Sequence, residues 1–200
     1  MNSRWFIFLV LLLLLVGHLF DLSNPNALRQ GTEGFYLKIS QEMFEQKSFI
    51  TPLHMGEPHW SKPPLLFWLA MPLYFIFGVK LWAARLSVLI FSILGTWLIA
   101  RWLRDRFTIP ATLGIIFLAS SFGFFKYFRI YMMEMPLAIL SCLSIFYFYD
   151  YWADNRKKDL VLASLFLGLS ILVKGPVSLA MASVSAFVFV LTQRKNILAI

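Results

Sequence analysis

Cysteine is nearly absent: Cys142, inside an apolar run, is the one thiol in the chain. A lone thiol forms no internal disulfide and no Cys-rich metal site, so the expectation is a packed, inert side chain. Acids are scarce as well, 10 Asp and Glu against 18 Lys and Arg, for a formal charge of +8. No ionisable residue stands at the middle of a long apolar run; His18 and Arg85 lie near run ends. A proton-coupled transporter needs acids or bases along its path, so that class is disfavoured. No small-x-small cleavage site follows the first apolar run at His18-Leu19-Phe20-Asp21, which argues for an uncleaved span rather than a signal peptide. There is no internal repeat, and low complexity is confined to the leucine run Leu11–Leu15.

What the chain has in abundance is apolar surface. Its hydrophobic fraction is 60% and its mean hydropathy +0.73, above the roughly half-apolar composition of soluble domains. The expected fold class is therefore an all-α integral membrane protein, a multi-spanning helix bundle. The basic excess is then a topology signal, with no nucleic acid among the expected partners.

Crossing the hydrocarbon core takes about 20 helical residues. Six runs qualify or nearly so: Trp5–Leu22, Leu81–Leu103, Ile109–Tyr127, Met135–Trp152, Leu160–Val173 and Val177–Leu191. A seventh run, Pro64–Gly78, would reach only about 22 Å as a helix, short of the roughly 30 Å core. If it stays outside the bilayer, Arg4, Arg101/Arg104/Arg106, Arg156/Lys157/Lys158 and Arg194/Lys195 all fall on the cytoplasmic side, where basic residues collect. About six spans with both ends inside are expected, with Pro64–Gly78 as a helix on the outer surface; a re-entrant segment is the alternative. The expected divisions are a first transmembrane helix (1–22), an outer loop with interfacial helices (23–80) and a transmembrane bundle (81–200). Apolar residues resume after Arg194-Lys195, so a further span and a longer chain are expected.

In the outer loop, Asn24-Pro25-Asn26 signals a turn and Thr32 is a candidate cap for a helix through Gln46. Phe35, Tyr36, Ile39 and Met43 recur at helical spacing while Lys38, Gln41, Glu42 and Glu45 face elsewhere, a pattern suited to the membrane surface. Pro63 and Pro64 suit the first turn of the next helix. Trp60, Trp82, Trp102 and Trp152 fit interfacial belts. Ser178, Ala182 and Ala186 form a small-residue packing stripe.

Polar chemistry gathers on the expected outer rim: Glu33, His54, Glu57, His59, Lys62, Arg129, Glu134 and Lys174. Glu33 and Glu134 each stand where a helix begins, so each either complements a helix N-terminus or supplies a general base. Lys62, held before two prolines, either snorkels beneath a headgroup or binds a phosphate; Arg129 and Lys174 carry the same two readings. His54 and His59 lack the spacing of a helical metal motif. No metal ligands are assigned, although a divalent ion stays open.

Five motifs occur in order: Thr32-Glu33-Gly34-Phe35-Tyr36, Ser61-Lys62-Pro63-Pro64-Leu65, Ala83-Ala84-Arg85-Leu86, Arg129-x4-Glu134-Met135-Pro136-Leu137 and Lys174-Gly175-Pro176-Val177. This arrangement resembles the N-terminal half of GT-C class, polyprenyl-phosphate-sugar-dependent glycosyltransferases, a group that includes the aminoarabinose transferases of lipid A and the protein O-mannosyltransferases. The resemblance implies a sugar donor on a polyprenyl monophosphate and a glycolipid, lipopolysaccharide or protein acceptor. It also implies an inner-membrane enzyme, N-terminus cytoplasmic, working on the periplasmic or extracellular side. Glu33 would be the base, Glu134 would help shape the acceptor or donor site, and Lys62 would hold the lipid phosphate; Arg129 and Lys174, which end spans on the same side, are the further candidates for the donor phosphate. The chain departs from the family where two adjacent acids and x-Arg-Tyr are usual: Thr32 takes the first acid's place and Phe35 the arginine's. Ser61 stands where an acid commonly precedes the lysine, and Glu134 where aspartate is usual. The rival class is a non-enzymatic transporter or lipid-binding subunit, with no need for Glu33.

Overall fold

A computed structural model describes residues 3–20, 22–24 and 31–197. Its helices, in chain order, are α1 (Ser3–Leu19), α2 (Gly31–Glu45), α3 (Leu65–Phe77), α4 (Leu81–Phe107), α5 (Ala111–Ser120), α6 (Phe122–Tyr127), α7 (Glu134–Asp154), α8 (Lys157–Lys174) and α9 (Val177–Ile197). Between α2 and α3 two short strands, β1 (Leu53–His54) and β2 (Glu57–Pro58), pair antiparallel.

The central element is α4. Its 27 residues extend about 40 Å, and among the described residues it is the one helix both long and apolar enough to cross a membrane. It packs against α3, α5 and α7. Gly95 lets α7 approach: a Cβ there would lie 2.3 Å from Ile139 Cγ2, so only a residue without a side chain fits. Helices α7 and α8 form an antiparallel hairpin turned by Asn155 in the left-handed region, joined by the Ser144 hydroxyl donating to the Ala163 carbonyl (2.9 Å) and by stacking of Tyr147 on Phe166. Cys142 is half-buried in α7.

Charge concentrates at the two ends of this bundle. At one, Arg106 pairs with Asp150 (2.9 Å) and Asp154 (3.1 Å), while Arg156 pairs with Asp154 (3.1 Å) and Asp159 (2.7 Å). At the other, α1 and α8 finish, α4 and α7 begin, and α2 packs beside them.

Several expectations change. The run Ile109–Tyr127 is two helices rather than one continuous helix: Ser121 is extended (φ −66°, ψ 142°) and its hydroxyl donates to the Leu118 carbonyl. A serine bonding back to its own backbone competes with the helix. The 10 residues of α5 extend about 15 Å, roughly half a hydrocarbon core. Thr32 is inside α2 rather than capping it, since α2 already includes Gly31. The apolar stripe of α2 does not face lipid: Tyr36, Ile39 and Met43 are buried in the protein core, and α2 packs on α3. Glu42, expected on the polar face, is buried and accepts the Gly56 N–H of the β1–β2 turn (3.1 Å). Trp102 is not a free belt residue: it stacks on Phe146 and its indole donates to Asp150 (2.8 Å). In α3, Leu66, Phe67, Ala70, Met71 and Tyr74 are buried, and the helix packs on α2, α4 and α8. Of the expected turn at Asn24-Pro25-Asn26, the last two residues lie outside the described set, as do the side chains of Arg4, Arg194 and Lys195.

Candidate functional site

Two ion pairs lie at the end of the bundle where α4 begins. The first joins Glu33, in the opening turn of α2, to Arg85, one turn into α4. Arg85 Nε donates to Glu33 Oε1 (2.8 Å) and Nη2 to Oε2 (2.9 Å). Both side chains are fully buried. Glu33 Oε1 also accepts the backbone N–H of Tyr131 (2.8 Å). Arg85 Nη1 donates to the carbonyls of Leu22 (3.1 Å) and Asn24 (3.3 Å). One planar, five-donor cation thus ties together the exit of α1, the start of α2 and, through Glu33, the loop before α7. Such forked, charge-assisted contacts are the strong ones. A base must present an oxygen to the proton it takes, and both oxygens of Glu33 are engaged. The geometry makes Glu33 the anchor of this loop cluster.

The second pair joins the first residue of α7 to the last of α8. Lys174 Nζ donates to Glu134 Oε1 at 3.1 Å, with the side chains 30% and 33% exposed. Each sits at the helix end that favours its sign, the carboxylate at an N-terminus and the ammonium at a C-terminus. This pair is unsaturated: Glu134 Oε2 is a buried atom with no hydrogen-bond partner among the described residues. An acceptor left over in this way can take a hydrogen bond from a water or from a substrate hydroxyl. Burial, and then the charge of Glu134, push the Tyr36 phenol above its ordinary pKa. Tyr36 lies one turn beyond Glu33, on the same face of α2.

The remaining predicted residues are dispersed. Lys62 is half-buried between β2 and α3 and has no hydrogen bond or ion pair with another described residue. Arg129 turns toward α1, donating to the Gly17 carbonyl (3.3 Å) with its guanidinium 4.7 Å from the Phe125 ring. His54 and His59 both pack edge-on against Phe35, their own ring centroids 6.0 Å apart. The Ser61 hydroxyl bonds His59 Nε2 (2.5 Å). Glu57 is exposed in the hairpin. Thr32, exposed, points its hydroxyl at Met132 Sδ (3.5 Å). Among the described residues no group of three His, Cys, Asp or Glu side chains could hold a metal ion. The larger described cavity, about 740 Å3 between α7, α8 and α9, contains none of these residues.

A model of the dolichyl-phosphate-mannose-protein mannosyltransferase family matches residues 61–199. The chain belongs to that family. An uncharacterized protein of Aquifex aeolicus is 32% identical over 200 residues, covering 96% of this chain and 39% of that protein. The crystal structure of ArnT from Cupriavidus metallidurans in the apo state superimposes with a TM-score of 0.81 at 23% identity, over 97% of this chain and 37% of that one. The same protein bound to undecaprenyl phosphate gives 0.79. The chain thus spans about two fifths of the length of these relatives, and the shared fold is that of a membrane protein of the GT-C class.

Arg85 was missed as a site residue because its partner is 52 positions away. Its place in the Ala83-Ala84-Arg85-Leu86 motif, an arginine within an apolar helix, was the available signal. Tyr36 had its place in the Thr32-Glu33-Gly34-Phe35-Tyr36 motif, whereas Tyr131 gave no signal beyond its apolar surroundings.

Proposed function

We propose that this mannosyltransferase-family chain forms the N-terminal part of a membrane glycosyltransferase. The enzyme moves a sugar from a polyprenyl-phosphate donor to an acceptor hydroxyl or phosphate at the non-cytoplasmic face. Family membership and the fold shared with a structure holding undecaprenyl phosphate support the donor class. The observation that carries the reading is the unsaturated Glu134–Lys174 pair at one end of the bundle.

In this reading Glu134 Oε2 accepts the proton of a substrate hydroxyl, either as general base or by orienting it. Lys174 and Lys62 meet the lipid phosphate, whose negative charge grows as the sugar–oxygen bond breaks; Arg129 borders the same end of the bundle. Fixed cations stabilise that charge most where water is excluded, and Lys62 has no competing partner among the described residues. The lipid tail stays in the bilayer while its head reacts. Glu33 holds the frame and touches no substrate.

The test is transfer from a radiolabelled polyprenyl-phosphate sugar by the full-length protein in membranes. Lys62→Ala should abolish most transfer without changing the amount of folded protein. Equal donor consumption by wild type and Lys62→Ala would refute the phosphate role. No consumption of any polyprenyl-phosphate sugar by wild type would favour the rival reading of a lipid-binding or transport subunit.

A further inference from the structure

The segment between α6 and α7 is unusual for a connection, since connections ordinarily run over the surface. Ile130, Tyr131, Met132 and Met133 are all buried, and the segment ends at Glu134, the first residue of α7. Buried backbone groups need partners. The Tyr131 N–H has one in Glu33 Oε1 (2.8 Å), and the Met132 N–H bonds the Ile130 carbonyl (2.9 Å). The Tyr131 side chain then reaches across to α3, its hydroxyl donating to the Leu66 carbonyl (3.0 Å). One fully buried residue thus bonds the Glu33–Arg85 pair through its backbone and the first turn of α3 through its phenol. Two further hydroxyls, of Ser40 and Tyr74, stand beside it. Ser40 of α2 donates to the Leu37 carbonyl (2.9 Å). Its one proton is then used, so in its contact with Tyr74 of α3 (3.0 Å) the phenol is the donor.

What Tyr131 holds is the approach to Lys62. That lysine precedes Leu66 by four positions, with Pro63 and Pro64 between them. Proline rings fix φ, and the Pro64 carbonyl accepts the Trp68 N–H (3.0 Å), so the two prolines are a rigid extension of α3. A shift in the first turn of α3 is therefore passed on to Lys62 rather than absorbed. Along its own segment, Tyr131 precedes Glu134 by three positions. Tyr36, whose phenol feels the charge of Glu134, packs on Phe67 in the same turn of α3, with ring centroids 6.3 Å apart. The start of α3 and the start of α7 thus flank one side chain. We propose that Tyr131 is a positioning residue for sugar transfer: through the Leu66 carbonyl, its hydroxyl sets the place of Lys62 relative to the Glu134–Lys174 pair. The proposal rests on the phosphate role of Lys62 and adds to it a residue that touches no substrate.

Binding of undecaprenyl phosphate, which carries no sugar, to the full-length protein in nanodiscs tests this without requiring transfer. Tyr131→Phe keeps the ring and deletes the hydroxyl; its Kd should rise about fivefold, on the scale of one lost hydrogen bond. Tyr74→Phe deletes a neighbouring phenol hydroxyl that bonds α2 instead of the first turn of α3, and its Kd should stay within about twofold of wild type. Because the Tyr131 hydroxyl acts through Lys62, Tyr131→Phe in a Lys62→Ala background should weaken binding no further. Should Tyr131→Phe fail to fold, Tyr131→Met, which fills the space adaptably without a hydroxyl, is measured in its place. A wild-type Kd in Tyr131→Phe, an equal loss in Tyr74→Phe, or a full additional loss in the double variant overturns the positioning role while the phosphate role of Lys62 stands. If Lys62→Ala itself binds undecaprenyl phosphate as wild type does, the phosphate role falls and the positioning role falls with it.

Discussion

Glu33 with Arg85 and Glu134 with Lys174 pair the same kinds of charge at the same end of one bundle, yet they differ in saturation. The first has no exposed surface, and both of its carboxylate oxygens accept hydrogen bonds. The second is about one-third exposed and leaves Oε2 without a partner among the described residues. A buried charge whose hydrogen bonds are complete stabilises architecture; a carboxylate with an oxygen left over can still bind and move a proton. The family resemblance points to Glu33 as the base; the function proposed above moves that role to Glu134 on its hydrogen-bond accounting.

The sharpest way to break the contrast is to remove half of the buried pair. Arg85→Leu leaves the Glu33 carboxylate buried without its cation, a loss of about 3–5 kcal/mol, so the folded fraction of the purified full-length protein should collapse in thermal denaturation. Glu134→Gln should do the opposite, lowering sugar transfer by about 10²–10⁴-fold, the range of general acid–base catalysis, with an unchanged melting temperature. Lys174→Met removes the ammonium but keeps the stem packed. It should raise the KM for the donor several-fold, visible in steady-state kinetics, with little change in stability.

A smaller effect should appear at Glu42, outside both pairs. Burial opposes its ionisation, but the Gly56 and Met55 N–H groups, with Lys38 and His54, hold its pKa below the ordinary value. A depressed folded pKa means the stabilisation is present above the unfolded pKa of about 4.3 and is lost as pH falls through the folded value. The protection of the Gly56 amide, hydrogen exchange measured relative to its intrinsic rate, should therefore fall as pH drops below the ordinary glutamate range, and Glu42→Gln should flatten that dependence.

The long apolar runs revealed α1, α4, α7, α8 and α9 because each must satisfy its backbone within the helix. The same rule hid the break at Ser121, where two adjacent serines compete for carbonyls inside an otherwise apolar stretch. The β1–β2 hairpin was hidden too: its strands have two residues each, too short for any alternation, and only the Met55-Gly56 pair with positive φ marks the turn. The burial of α2 was half legible. Its stripe of Tyr36, Ile39 and Met43 was visible, but an apolar face does not say whether lipid or protein covers it. Among the site residues, Lys174 and Glu134 were readable as helix-end charges, whereas their pairing across 40 positions was not.

The most direct measurement compares Glu134→Gln with Glu33→Gln in the full-length protein, recording the yield of folded protein and the transfer rate per folded molecule. Glu134→Gln should keep its yield and lose its rate; Glu33→Gln should lose yield while the molecules that fold keep most of theirs. A stable Glu33→Gln protein without transfer, beside a fully active Glu134→Gln protein, would contradict this division of labour.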